Sequence, residues 1–131
     1  MIGLDTNVLV RYLTEDDEAQ LARVDALVTE ALERQERLHL NTIVLCETAW
    51  VLRSVYGFDR NQLREALSRV VATRQFSVEN LGIVRRAVDA FGRGKGDFAD
   101  YLIGFLNQQS GCRTTATFDS DLRGAERFRL L

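Results

Sequence analysis

The period of apolar and polar positions changes repeatedly along this chain, and each change marks an element. Ile2 to Leu4 reads as a short strand ending at about residue 5, with Val8, Leu9 and Val10 opening the element after it. Amphipathic spacing predicts a long helix over about 16–36, a strand in Leu38-His39-Leu40 and an apolar helix over 42–56. A helix over 60–74 follows, then a short strand at Phe76-Ser77-Val78 and helices over about 80–92 and 98–109. A strand over 113–118 and a last one from Phe128 to Leu131 complete the series. Strands alternating with helices predict an α/β fold, a parallel sheet with helices on both faces. In such sheets ligands bind beyond the carboxyl ends of the strands.

Composition adds limits. With 131 residues, 46% of them hydrophobic, the chain is expected to form one domain over 1–131 with a single core. It has no repeat, no low-complexity stretch and no proline, and its only glycine cluster is Gly92-Arg93-Gly94-Lys95-Gly96. No apolar run approaches the ~20 residues that span a bilayer, and the N-terminus lacks a signal-peptide pattern, so a cytoplasmic protein without a membrane partner is expected. Cys46 and Cys112 are expected as plain thiols, one or both buried, with one disulfide left open; a single histidine and no CxxC argue against zinc. The net charge of −2 hides a polarity: residues 1–50 carry ten acids and four bases, residues 51–131 nine acids and thirteen bases. All basic residues but Lys95 are arginine. The arginine fork suits phosphate, so a nucleic-acid partner is admissible, although such faces are often only solvated.

The acids carry the chemistry. Asp5 stands among apolar residues, and a carboxylate buried there would require a neutralising partner. Asp5 and Asp119 both end predicted strands, which sends them to the same rim of the sheet; a turn or helix-cap role is the alternative for Asp119. Glu47, on a helix over 42–56, has Ile43, Val44, Trp50 and Val51 at its helical neighbour positions, so it leaves from an apolar face. In Asp97-Phe-Ala-Asp100 the two aspartates share a helix face one turn apart; Asp97 suits an N-cap and Asp100, lying deeper, suits a ligand. Asp5, Glu47, Asp100 and Asp119 converging at one rim would repel strongly and require protonation or cations. Oxygen donors alone select Mg²⁺ or Mn²⁺, and ions held in this way are a recurrent device for phosphodiester cleavage.

Asp5-Thr6-Asn7 after an apolar strand, Glu47 in an apolar helix, Asp97-Phe-Ala-Asp100-Tyr-Leu-Ile and Thr117-Phe118-Asp119 together resemble the PIN-domain family, specifically its short VapC-like toxins. The resemblance covers nearly the whole chain. It implies a three-layer α/β/α sandwich around a parallel sheet of about five short strands, with metal-binding acids at Asp5, Glu47, Asp100 and Asp119. It further implies Mg²⁺ or Mn²⁺ as cofactor, RNA as substrate, a homodimer, and a VapB-like antitoxin that blocks the site. Thr6 and Asn7 match the family's signature after the first acid. Asn7 and Thr117 are expected to orient carboxylates, while Asp97 and Asp121 are auxiliary positions. Arg93 and Lys95 would either touch RNA from a mobile loop or belong to a simple helix stop and connector.

Three rivals are weaker. A phosphoacceptor receiver would require a late lysine at a strand end, and the only lysine is Lys95. A haloacid-dehalogenase-like phosphatase would require an aspartate where Asn7 stands. A non-catalytic PIN-like module binding RNA or protein would be favoured by the loss of an acid, and all four acids are present.

Overall fold

A computed structural model describes residues 1–131 as two compact units, Met1–Leu81 and Gly82–Leu131. In the first, β1 (Ile2–Gly3), β2 (Leu38–Leu40) and β3 (Phe76–Val78) form a parallel sheet in the order β1-β2-β3, with Ile2 opposite Leu38 and Leu38 opposite Phe76. Around it lie α1 (Thr6–Thr14), α2 (Glu18–Glu33), α3 (Thr42–Ser54) and α4 (Arg60–Ala72). The second unit holds nearly all of α5 (Leu81–Arg93), α6 (Phe98–Gln109) and a parallel pair, β4 (Thr115–Thr117) and β5 (Phe128–Leu130). The fold is α/β with parallel strands, as expected. Its five strands, however, form hydrogen-bonded ladders of three and two rather than one ladder of five. No helix is long and apolar enough to cross a membrane.

The predicted helix over 16–36 is shorter at both ends, and the element that Val8, Leu9 and Val10 open is itself a helix, α1. Thr6, Leu9, Val10 and Leu13 are buried at i, i+3, i+4 and i+7, the inner stripe of α1. The β-branched residues around Leu9 disguised this spacing. The helix starts where the Asp5 carboxylate accepts the Thr6 N–H at 2.8 Å, and it stops at Glu15, in the left-handed region with φ 55°. The turn into α2 is tied down by Arg11, which donates to Asp16 and to the Tyr56 hydroxyl, while that hydroxyl donates to Asp16.

Asparagine 41 caps α3 by accepting the Val44 N–H at 2.9 Å. Glu79, just past β3, reaches the same helix end and accepts from the Thr42 N–H at 3.0 Å and the Thr42 hydroxyl at 2.7 Å. The Thr42 hydroxyl above all, then its N–H, holds the Glu79 carboxyl below its ordinary value of 4.5. Its contribution is therefore complete above pH 4.5 and lost as pH falls through the lower folded value. Glu79→Ala is expected to cost about 1 kcal/mol at neutral pH, the usual size of a lost helix cap. Urea titrations of variant and parent at neutral pH and near pH 3 should show that difference shrinking in acid; a pH-independent difference would mean that packing, not the charge, was lost.

In the second unit, Val84, Ala87, Val88 and Phe91 form the buried stripe of α5, and Phe98, Tyr101 and Leu102 that of α6. Fully burying such an apolar side chain stabilises by about 1.5–3 kcal/mol. The glycines between the helices are explained by packing. A Cβ on Gly94 would lie 1.9 Å from the Tyr101 hydroxyl, and one on Gly96 2.5 Å from Leu122. The Tyr101 hydroxyl in turn accepts the Gly96 N–H at 3.0 Å, a buried hydrogen bond. Gly94 and Gly96 are thus packed closely against Tyr101 and Leu122, while Arg93 and Lys95 are exposed.

Candidate functional site

In the first unit, one residue joins two of the four acids. Thr6 is 7% exposed; its backbone N–H donates to Asp5 Oδ1 at 2.8 Å and its hydroxyl to Glu47 Oε2 at 3.0 Å. The start of α1 and the middle of α3 are brought together by it. Two expectations are corrected here. Asp5 is not enclosed by apolar residues but exposed, because it caps a helix and faces out of the sheet end. Glu47 is exposed as well: α3 buries Val44, Leu45, Thr48, Ala49 and Leu52, leaving Ile43 and Trp50 68% and 65% exposed beside Glu47. A helix that is apolar on most sides does not reveal in its sequence which side is buried. Asn7 is exposed and lines a groove of about 400 Å³ between α1 and α2 with Arg11, Gln20 and Arg23.

In the second unit, Asp97 stands at the N-cap of α6, as its spacing predicts, and Asp100 Oδ2 reaches back to accept the Asp97 N–H at 2.9 Å. Burial raises the Asp100 carboxyl above its ordinary value of 3.8, and the charges of Asp97, Asp119 and Asp121 push the same way against that hydrogen bond. Asp119 follows β4 and caps a short 3-10 turn over Ser120–Leu122, its Oδ1 accepting the Asp121 N–H at 2.9 Å. Thr117 acts on it from behind: its hydroxyl oxygen accepts the Asp119 N–H at 3.0 Å. Asp119 thus takes the cap role, two residues beyond the end of β4. Exposed Arg93 pairs with Asp89 at 2.8 Å, one helical turn back; Lys95 is exposed as well.

Asp5 and Glu47 thus lie in the first unit, Asp97, Asp100, Asp119 and Asp121 in the second. Within neither unit do three side chains of His, Cys, Asp or Glu lie close enough to hold a metal ion among them. Both cysteines are free thiols, Cys46 half-buried and Cys112 exposed. The donors around Thr6 and around Asp100 are oxygens alone. Oxygen donors of this kind suit a hard divalent cation that keeps several waters. The sequence named Thr6 only as part of a signature; its bridging role depends on a contact 41 positions along the chain.

The chain belongs to the PIN domain family, whose model matches residues 2–127. It is 24% identical over 115 residues to a VapC ribonuclease of Aquifex aeolicus (strain VF5), covering 88% of this chain and 84% of that protein.

Proposed function

We propose that this protein is an endoribonuclease dependent on Mg²⁺ or Mn²⁺, the toxin of a VapBC-type toxin–antitoxin module, and that residues 1–131 act as a single PIN-like domain. The observation that carries this is the Asp5-Thr6-Glu47 contact, in which a buried threonine orients two exposed carboxylates. Family membership and the similarity to a VapC ribonuclease support the same activity. Asp5, Glu47, Asp100 and Asp119 are assigned to the reaction as metal ligands. When bound, a divalent ion would lower the pKa of the attacking water and offset charge on the phosphate. Thr6 fixes the Glu47 carboxylate, Thr117 fixes the Asp119 backbone, and Asn7, Asp97 and Asp121 are auxiliary. Arg93 and Lys95 would attract the RNA backbone.

A VapB-like antitoxin partner, a homodimer and a cytoplasmic location belong to the same proposal. Ile43, Trp50 and Val55, 65–68% exposed, are apolar surface that a second subunit would cover. Purified protein should cut labelled total RNA at discrete positions with Mg²⁺ or Mn²⁺ and leave it intact with EDTA. Cutting that persists in EDTA would remove the metal from the mechanism, and RNA binding without any cutting would favour a non-catalytic module.

A further inference from the structure

The sheet of the second unit has one face covered by a helix. Thr115 accepts a hydrogen bond from the Asn107 side chain of α6 at 3.0 Å, and the Phe128 ring fills the space over Gly104 of the same helix. Strand alternation then turns Ala116 and Arg129 to the opposite face, and Phe118 and Leu131 directly follow the two strands. All four are exposed, Phe118 at 84% and Leu131 at 62%. The register sets Ala116 beside Arg129 and Thr117 beside Leu130, so Phe118 stands two residues after the strand partner of Arg129. Neither strand carries an acidic residue; Asp119, Asp121 and Glu126 lie in the connection between them.

We propose that this open face receives single-stranded RNA, with an unpaired base stacked on Phe118 and a neighbouring phosphate on Arg129. The proposal rests on the ribonuclease activity proposed above and names the form of its substrate. An aromatic ring exposed to this degree contributes little to the core, yet it offers a flat surface to any base. The exposed guanidinium of Arg129, on the neighbouring strand, matches a phosphate in charge and shape. A base within a duplex has both its faces stacked, so only an unpaired one would use the ring. Phe118 also directly precedes Asp119, whose N–H turns back to Thr117 on the covered side. A base held at Phe118 would sit one residue from an acid assigned to the reaction.

The test measures binding of a short, fluorescein-labelled, randomised single-stranded RNA, and of a perfectly paired RNA duplex, in an Asp100→Asn background that does not consume the probe. Phe118→Ala and Phe118→Leu should each weaken single-strand binding about tenfold, Phe118→Trp should hold it, and duplex binding should not change. Arg129→Ala should weaken single-strand binding with a shallower salt dependence. Full affinity in Phe118→Ala, or retention by leucine as well as tryptophan, would overturn the stacking role. So would a loss of self-association in Phe118→Ala with RNA affinity unchanged, which would assign the face to a second subunit. Failure to bind any RNA with Phe118 in place would overturn both this role and the nuclease, whereas binding and cleavage indifferent to residue 118 would overturn this role alone.

Discussion

Replacing Asp100 with asparagine is expected to reduce RNA cleavage on the order of a thousandfold, about 4 kcal/mol of transition-state stabilisation, while the protein melts no lower than its parent. The substitution removes one charge but keeps an oxygen able to accept the Asp97 N–H, the contact that closes the first turn of α6. Burial and three neighbouring carboxylates raise the Asp100 carboxyl, so its ionised form opposes folding at neutral pH in the metal-free protein. A neutral amide relieves this. Asp5→Asn should behave alike, because asparagine caps a helix as well as aspartate does and would keep the Thr6 N–H satisfied. Cleavage rates and thermal melts of both variants decide the matter. A variant that unfolds had a structural carboxylate, and one that folds and cuts at the parental rate removes that residue from the assigned ligands.

The second large effect is on stability. Gly94→Ala would place a methyl group 1.9 Å from the Tyr101 hydroxyl and 3.2 Å from the Ala90 carbonyl oxygen. The tyrosine ring is 7% exposed and cannot swing into solvent without breaking its buried bond to the Gly96 N–H. Overpacking of about 1–3 kcal/mol and a buried donor left unsatisfied at about 1–3 kcal/mol together predict a loss of roughly 2–6 kcal/mol. At this chain length that lowers the melting temperature by about 10 °C or more. Gly94→Ala in a Tyr101→Phe background should cost less than in the parent, since the clashing oxygen is gone. Equal losses in the two backgrounds would place the strain elsewhere.

The elements held by local pattern were legible in the sequence. Leu38–Leu40, Phe76–Val78 and Phe98–Gln109 fall where periodicity put them, since short apolar runs and a capped amphipathic repeat state their own limits. The start of the chain was not legible in the same way. Thr6 to Thr14 carries a helical stripe, but its run of Val8, Leu9 and Val10 also suits a strand, and only packing against α2 and α3 settles such a case. The acids were found by type and spacing, whereas their surroundings were misjudged. Residues next to Asp5 and Glu47 in sequence are apolar, yet both carboxylates face outward, because neighbours along a helix do not share one environment. The two-ladder arrangement of the strands depends on long-range pairing that no local window contains.

Thr6 carries a consequence of a different kind. A free glutamate side chain samples many rotamers, and freezing it removes entropy worth up to about 2 kcal/mol. The hydroxyl of Thr6 restricts Glu47 when the chain folds, so that part of this ordering precedes the ligand proposed for it. A ligand meeting Glu47 therefore finds an arm already aimed, and the enthalpy of the contact it makes is less offset by disorder lost at that moment.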